Sequence, residues 1–238
     1  NDSGDDFDGA RDLDHSSTHV QTTVKAYLDF LLGDLGYAGF RYDMVKGYAP
    51  AYTKLYNENA KPTYPVGEYW DGNYSNLQTW VANTGNTSAA FDFALKYNLR
   101  DCCNANTNWG TKLSGSYLAY QNAYKRYAVT FVDNHDTYAR GNDSETKYNI
   151  LSANAFILAA PGTPCIFLPH WKTYKKDIKQ MIYARNLARI NNQSAITQIA
   201  SSTNQYAMST TGTDGKKVLV LMGSTTMPST VTASDYFL

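Results

Sequence analysis

The sequence predicts an α/β fold in which about five strands of a parallel sheet are followed by the start of an antiparallel β domain. Helix-type and strand-type segments alternate at spacings of about 25–40 residues, which is typical of parallel βαβ units. This alternation stops after Asn192, where short β-type runs take its place. Hydrophobic residues make up 43% of the 238 residues, which is enough for a sizeable core and excludes global disorder.

The alternating segments can be assigned in chain order. The first helix is predicted from Val20, because apolar residues recur there at spacings of three and four, with Ser16 or Ser17 as its cap. Gly33 and Gly36 mark the end of this helix. Strands are predicted at residues 39–45, 64–68, 89–95, 128–133 and 164–168. Further helices are predicted near residues 48–59, 74–83, 110–124, 145–159 and 174–191.

The last part of the chain has a different pattern. The run Val218–Met222 is the clearest strand, and Thr213-Asp214-Gly215 before it is a hairpin signal. We therefore assign residues 195–238 to a partial C-terminal antiparallel β domain. Residues 1–194 are assigned to a partial (β/α)8 barrel. The barrel is partial because a closed parallel barrel needs eight strands and about 250 residues, whereas five parallel strands are predicted here. We expect the chain to be a fragment of a longer protein.

Charge and cysteine content exclude several classes of protein. Lys and Arg number 21, Asp and Glu number 21, and this formal neutrality argues against a nucleic-acid-binding or anionic-membrane-binding surface. No apolar run approaches the roughly 18 residues of a membrane span. The three cysteines predict neither a disulfide framework nor a CxxC metal site. The 20 tyrosines suit a hydroxylated ligand, although a tyrosine-rich core explains them equally well.

Three carboxylates, those of Asp43, Glu68 and Asp136, each stand at the C-terminal end of a predicted strand. Active sites of parallel barrels form at that end of the strands. Buried charges are costly unless they are paired or used, so three of them at one edge point to chemistry. The alternative is a set of helix caps and surface acids.

Two of these carboxylates have opposed surroundings. Residues two apart in a strand share a face, so Arg41 should lie beside Asp43 and keep it ionised, as a nucleophile requires. Glu68 has no basic residue nearby in sequence and precedes Tyr69 and Trp70. Partial burial among these rings should raise its pKa and keep it protonated, as a general acid requires. Such a pair is what glycoside hydrolysis needs.

The first 14 residues hold six aspartates against one arginine. This stretch has too few apolar residues for an ordinary helix or strand. It is either a frayed acidic end or an oxygen-rich cation site.

Three segments closely resemble strand-end motifs of the α-amylase family (glycoside hydrolase family thirteen), and they occur in that family's order. They are residues 39–48 (GFRYDMVKGY), 66–70 (VGEYW) and 131–137 (FVDNHDT). Weaker likeness at residues 10–15, 91–93 and 161–167 extends the resemblance over about residues 5–192. The resemblance implies the C-terminal portion of a parallel (β/α)8 barrel. The family's first three strands and its inserted domain have no counterpart here.

The resemblance implies a role for each strand-end residue. Asp43 would be the nucleophile that forms a covalent glycosyl-enzyme, Glu68 the general acid/base, and Asp136 the third carboxylate that stabilises the transition state. For a retaining enzyme, the carboxyl groups of Asp43 and Glu68 should lie roughly 5–5.5 Å apart. Residues implied to orient the nucleophile or to contact sugar are Arg41, His135, Lys46, Tyr48 and Trp70.

The resemblance also implies calcium as a cofactor. Calcium takes six to eight oxygen ligands. By likeness to calcium-binding α-amylases, Asp6, Asp12 and the backbone carbonyl of Gly47 would be ligands here. A solvated acidic loop is the alternative.

The leading functional hypothesis is an endo-acting α-amylase that hydrolyses internal α-1,4-glucosidic bonds of starch-like glucans with retention. One alternative is a debranching or glycosyl-transferring relative, since the family shares its catalytic carboxylates. Another is a non-catalytic glucan-binding protein, or an inactive fragment, on the same fold. An α-glucan polysaccharide or oligosaccharide is the expected partner, and because starch polymers do not cross membranes, we expect the protein to be secreted or at the cell surface.

Overall fold

The structure is a computed structural model that describes residues 4–6, 8–9, 11–141, 143–224, 226–227, 229 and 231. Contacts divide the chain into two compact units. The first unit is formed by residues 1–71 and 75–91, and the second by residues 72–74 and 92–238. No helix within the described part is at once long and apolar enough to cross a membrane. The domain boundary near residue 194 stays a prediction.

The first unit is built from helices and parallel strands in alternation. Its elements are α1 (Thr18–Gly33), β1 (Gly39–Tyr42), α2 (Pro50–Ala60), β2 (Tyr64–Gly67), most of α3 (Tyr74–Asn83) and β3 (Ala89–Phe91). Strand β1 pairs with β2 in parallel, with Tyr42 opposite Gly67, and β2 pairs in parallel with β3. The carboxyl ends of the strands therefore meet at one edge, where Asp43 and Glu68 follow β1 and β2.

The second unit continues the alternation and then changes to antiparallel strands. Its elements are α4 (Phe93–Ala105), α5 (Trp109–Leu113), β4 (Ala128–Phe131), α6 (Ile150–Ala159), β5 (Thr163–Cys165), α7 (Leu168–Leu187), β6 (Ala195–Ser201), β7 (Gln205–Thr211) and β8 (Lys217–Gly223). Strands β4 and β5 are parallel, whereas β6, β7 and β8 form an antiparallel sheet in that order. This confirms the predicted fold class, including the hairpin turn before β8.

Helix α4 was not predicted, because the apolar run at residues 89–95 suggested one long strand. Strand β3 ends at Phe91, and the Asp92 side chain accepts a hydrogen bond from the backbone N–H of Leu95 at 3.1 Å. This N-cap satisfies a backbone donor that the first helical turn would otherwise leave free. Asp92 thus ends the strand and starts the helix.

The helix predicted near residues 110–124 is also wrong in extent. Helix α5 has five residues and is followed by single 3₁₀ turns at 118–120 and 125–127. Gly115, with φ of 132°, has a backbone conformation that continues no helix. Helix α7 begins at Leu168, before the predicted 174, and kinks at Tyr174 (φ −118°, ψ 29°).

Strand β2 packs directly on an indole ring. A Cβ atom added to Gly67 would collide with the Trp80 ring, so no side chain fits at this position. Trp80 is 2% exposed, and its ring centroid lies 5.9 Å from that of Tyr69. This packing fixes the end of β2 on both sides of Glu68.

Aromatic rings hold the second unit together. Phe93 at the start of α4 meets Phe131 at the end of β4 edge to face, with centroids 5.0 Å apart. Phe156 of α6 lies 6.2 Å from the ring of Tyr117 and 6.2 Å from that of Tyr206 on β7. The antiparallel sheet therefore packs on α6 through a shared aromatic core.

A buried arginine ties α7 to the connection between α6 and β5. The guanidinium of Arg185 donates to the carbonyl oxygens of Leu158 at 2.8 Å, Ala160 at 2.6 Å and Gly162 at 2.8 Å. Burial lowers the pKa of Arg185 to about 10. These bonds satisfy carbonyl groups that the end of α6 leaves without helical partners.

Candidate active site

Asp43 and Glu68 lie side by side because they follow neighbouring parallel strands. The backbone N–H of Glu68 donates to the carbonyl of Tyr42 at 2.9 Å, and that of Val45 donates to the carbonyl of Glu68 at 3.3 Å. The Asp43 side chain is 64% exposed, whereas that of Glu68 is 5% exposed. One carboxyl group thus faces solvent, and its neighbour is shielded from it.

Arg41 binds both carboxyl groups. Its Nη1 lies 2.8 Å from Asp43 Oδ1, as the strand alternation predicted, and its Nη2 lies 2.5 Å from Glu68 Oε1. The second contact was missed, because Glu68 has no basic neighbour in sequence and meets Arg41 only through strand pairing. The planar guanidinium fork suits this double contact.

The pKa of Glu68 is raised, mainly because the group is buried and also because its carboxyl is hydrogen-bonded to that of Asp43. The charge of Arg41 and the backbone N–H of Met44, 3.3 Å from Glu68 Oε2, oppose this rise. A raised pKa of Glu68 agrees with the protonated general acid that the sequence predicts at this position. The separation of roughly 5–5.5 Å expected between the two carboxyl groups of a retaining enzyme stays a prediction.

Met44 directs its N–H to Glu68 through an unusual backbone conformation. Its φ of 45° and ψ of 47° lie in the left-handed region, which is unfavourable for residues other than glycine. Such strain persists only where the surrounding contacts impose it. Sequence reasoning missed this residue, because methionine carries no turn signal.

A cavity of about 650 Å³ opens beside the two carboxyl groups. The predicted sugar contacts that line it are Lys46, Tyr48 and Trp70, and the predicted calcium ligands that line it are Asp6, Asp12 and Gly47. The first unit therefore brings these predicted residues to one cavity with Asp43 and Glu68.

Lys46 is held between two acidic residues. Its Nζ lies 3.4 Å from Asp5 Oδ2 and 3.7 Å from Asp71 Oδ2, over the Tyr69 ring. Burial alone would lower the pKa of Lys46, but the acidic partners outweigh it and the pKa is raised. The Asp5 N–H also donates to the Lys46 carbonyl at 2.7 Å. Lys46 thus anchors the acidic segment, a contact the sequence did not indicate.

Tyr48 packs on a buried histidine. The ring centroids of Tyr48 and His15 are 4.5 Å apart, and His15 Nδ1 lies 2.6 Å from the hydroxyl of Tyr56. Burial lowers the pKa of His15, although the charges of Asp12 and Asp14 oppose this. A neutral imidazole in this aromatic cluster holds the end of the acidic segment.

The calcium hypothesis rests on oxygen donors from Asp6, Asp12 and Gly47. Asp12 Oδ1 lies 3.8 Å from the place of a Cβ on Gly47, so carboxylate and backbone are near each other. In the described ranges, His, Cys, Asp and Glu side chains form no group of three or more that could hold a metal. Backbone carbonyls and water would have to complete the shell, and these are donors that calcium accepts.

Asp136 and His135 belong to the second unit, in the turn after β4. Asp136 Oδ2 lies 3.0 Å from His135 Nε2, and its Oδ1 lies 3.4 Å from Arg140 Nη2. The Asn134 side-chain oxygen accepts from the N–H groups of Asp136 at 3.0 Å and Thr137 at 2.9 Å. These bonds fix the turn and leave Asp136 36% exposed. Sequence reasoning missed Arg140 as a partner of Asp136.

The chain is similar to several known enzymes. It is 29% identical over 239 residues to probable alpha-amylase 2 of Arabidopsis thaliana, covering 92% of this chain and 57% of the relative. It is 33% identical over 220 residues to a glucan 1,4-alpha-maltotetraohydrolase of Stutzerimonas stutzeri, covering 82% of this chain and 39% of the relative. The chain thus spans little more than half, or less, of these relatives.

Solved structures show the same fold. An Anoxybacillus alpha-amylase superposes with a TM-score of 0.71 at 14% identity, covering 90% of this chain and 54% of that one. No protein-family model matches the chain. Similarity to these enzymes over most of its length, together with this fold, shows that the chain belongs to the α-amylase family, glycoside hydrolase family thirteen.

Proposed function

We propose that this chain carries the catalytic carboxyl groups of a retaining glycoside hydrolase that cleaves internal α-1,4-glucosidic bonds of starch-like glucans. The observation that supports this most is the pair formed by Asp43 and Glu68 on one guanidinium, with the first exposed and the second buried. Retaining hydrolysis requires two neighbouring carboxyl groups in different protonation states.

In the first step, Asp43 attacks the anomeric carbon and forms a covalent bond to the sugar, while Glu68 gives its proton to the departing glycosidic oxygen. In the second step, the Glu68 carboxylate takes a proton from water, and the water oxygen displaces Asp43 from the anomeric carbon. The raised pKa of Glu68 favours the protonated form that the first step needs. Arg41 compensates the charge of whichever carboxylate is ionised.

The other predicted residues would bind the glucan. Asp136, partly exposed beside His135 and Arg140, would accept hydrogen bonds from sugar hydroxyl groups and stabilise the oxocarbenium-like transition state. His135 would donate to a sugar hydroxyl. Trp70 and Tyr48 offer rings to the apolar faces of glucose units, and Lys46 keeps donor capacity beyond its two ion pairs.

We also propose that Asp6, Asp12 and the Gly47 carbonyl bind calcium. A calcium ion there would fix the acidic segment against residues 45–47, which directly follow the catalytic strand end. For the complete protein, a polymeric substrate favours secretion or a cell-surface location.

Replacing the acid tests the proposal most directly. We expect Glu68→Gln in the full-length protein to reduce starch hydrolysis by about 10³-fold, because the amide cannot supply a proton to the leaving group. Glu58→Gln is the matched control, since Glu58 is exposed on α2 and pairs with Lys54. Release of reducing sugar is the measurement. Undiminished hydrolysis by Glu68→Gln would exclude the assigned acid.

Product analysis separates the related activities. The relatives include an alpha-amylase and a maltotetraohydrolase, so chromatography of the products from amylose is decisive. Internal cleavage gives a mixture of maltooligosaccharides, whereas accumulation of maltotetraose or of products longer than the substrate indicates a different action. Binding of maltooligosaccharide without turnover by the wild-type protein would identify a non-catalytic relative.

A further inference from the structure

Lys96 and Asp133 form a fully buried ion pair below the turn that carries Asp136. Lys96 lies on α4, Asp133 follows β4 closely, and Lys96 Nζ is 3.1 Å from Asp133 Oδ1 with both side chains 0% exposed. A buried ion pair is weak evidence for a gain in stability, because desolvation of both charges offsets their attraction. A gain in stability therefore does not account for a buried ion pair at this position.

The carboxylate of Asp133 binds both ends of one loop. Its Oδ1 accepts a hydrogen bond from the Thr137 hydroxyl at 3.0 Å, near the start of the loop. Its Oδ2 accepts from the backbone N–H of Thr146 at 3.2 Å, at the end of the loop. Lys96 adds a bond to the carbonyl of Ser144. The ion pair thus closes the loop that presents His135 and Asp136.

A continuous series of hydrogen bonds joins Lys96 to the turn. The Thr137 hydroxyl that donates to Asp133 also accepts from the N–H of Asn134 at 3.0 Å. The side chain of Asn134 in turn accepts from the N–H of Asp136 at 3.0 Å. Each step uses a buried or half-buried group, so a shift of Asp133 would be passed to the backbone of Asp136.

Among the residues that the structure describes, Lys96 is the cation within hydrogen-bond distance of Asp133, at 3.1 Å. His170 is also buried there, but its Nε2 lies 3.7 Å from Asp133 Oδ2, beyond hydrogen-bond distance, and burial lowers the pKa of His170. Loss of the lysine would therefore leave an uncompensated buried carboxylate under the turn.

We propose that Lys96 is a positioning residue, which acts through Asp133 and Thr137 to hold Asp136 in its reactive orientation. The catalytic role of Asp136 rests on the proposed function. The hydrogen-bonded link from Lys96 to the backbone of Asp136 does not depend on it. Lys96 makes no contact with substrate in this proposal.

The first experiment compares Lys96→Met with Lys125→Met in the full-length protein. Lys125 is a matched control, because it too is a buried lysine of the second unit and donates to a backbone carbonyl, that of Ser194, at 3.0 Å. At a temperature where both variants are folded by circular dichroism, we expect kcat on a maltooligosaccharide to fall at least tenfold for Lys96→Met. For Lys125→Met it should change by less than twofold. Equal kcat values for the two variants would overturn the proposal.

A double-mutant cycle distinguishes positioning from general destabilisation. In an Asp136→Asn background, Lys96→Met should lower the residual kcat by less than twofold, because the group that it positions is already lost. A full tenfold loss in that background would refute action through Asp136.

The double variant Lys96→Met/Asp133→Leu removes both buried charges and is expected to fold. It should remain at least tenfold slower than the wild type, and wild-type kcat would overturn the proposal.

Amide hydrogen exchange tests the coupling without reference to activity. Protection of the N–H groups of Asp136 and Thr137 should fall at least tenfold in Lys96→Met and stay unchanged in Lys125→Met. If the wild-type protein does not hydrolyse starch, the proposed function is wrong. Amide exchange would still test whether Lys96 holds the turn that carries Asp136. Unchanged protection in Lys96→Met would show that the ion pair does not hold the turn.

Discussion

Carboxyl groups of this chain differ in burial and in the partners that surround them. Asp43 is exposed and shares Arg41 with Glu68, whose pKa is raised by burial. Asp92 is wholly buried, and its partners are the backbone N–H groups of Ala119, Leu95 and Leu118. Burial outweighs these hydrogen bonds and raises the pKa of Asp92 to about 6. The same side chain thus serves as a candidate nucleophile at one strand end and as a helix cap at another.

Asp92 makes stability depend on pH. Because its pKa is raised from 3.8 to about 6 in the folded state, the native protein binds more protons than the unfolded chain between these values. The free energy of unfolding should therefore fall as pH rises from about 4 to about 6, by about 3 kcal/mol, and this contribution should level off above that range. Urea unfolding of the wild type and Asp92→Asn at several pH values measures it. A stability difference between the two proteins that is independent of pH would contradict this.

At the level of elements, Arg185 joins α7 to the stretch between α6 and β5, 23 to 27 residues earlier in the sequence. It lies on α7 and binds carbonyl oxygens from the end of α6 and from the loop that leads to β5. Carbonyl groups at a helix end need partners, and the residues that carry these are buried. One side chain therefore fixes the direction in which the chain leaves α6 and enters the last parallel strand.

We expect Arg185→Met to lower the free energy of unfolding by about 2–4 kcal/mol, because three buried carbonyl oxygens lose their donors. Arg185→Lys should recover part of this, since one ammonium cannot reach all three oxygens. Arg189→Met is the control, because Arg189 is exposed at the end of the same helix. Chemical denaturation monitored by circular dichroism gives the values. Equal stability of the Arg185→Met and Arg189→Met variants would show that the three bonds contribute nothing.

The order and type of most elements followed from hydrophobic period and turn signals. All five parallel strands lie within the predicted segments or within one residue of them, as β5 does at Thr163. Helix α4 was missed because the apolar residues before and after Asp92 form one run, and only the cap divides it. The helix predicted at 110–124 failed because periodicity does not show where Gly115 changes the backbone direction.

The candidate site was predictable where its residues follow strands and unpredictable where contacts cross between segments. Asp43, Glu68 and Asp136 were identified from their places after strands. The bond from Arg41 to Glu68 depends on the register of two strands, and the pair of Lys96 and Asp133 joins residues 37 apart. Local sequence patterns contain no information on such pairings.

Over the whole molecule, the charges sum to zero but are unevenly distributed. Six of the aspartates lie in the first 14 residues, and the structure places several of these beside the cavity that contains Asp43 and Glu68. Lys46 compensates part of this negative charge through Asp5. A divalent cation would compensate more of it, because Asp6 and Asp12 are both exposed to that cavity.

Calcium should therefore stabilise the folded protein. Saturation at about 100 times the dissociation constant adds about 2.7 kcal/mol to the free energy of unfolding, so removal by a chelator should lower the thermal midpoint. Asp12→Asn should reduce this response, whereas Asp34→Asn, at an exposed carboxylate just after α1, should retain it. Differential scanning calorimetry with and without calcium is the measurement. A midpoint insensitive to calcium would exclude the site.

The contact between Gly67 and Trp80 provides the protein with an internal optical reporter. Trp80 is one of four tryptophans and lies against the residue that immediately precedes Glu68. Indole emission responds to polarity within a few ångströms, so a displacement of the general acid during glucan binding would change the fluorescence of this ring. Replacing Trp109 and Trp171, which have no proposed role in glucan binding, would reduce the background from other tryptophans and allow the movement to be followed in real time.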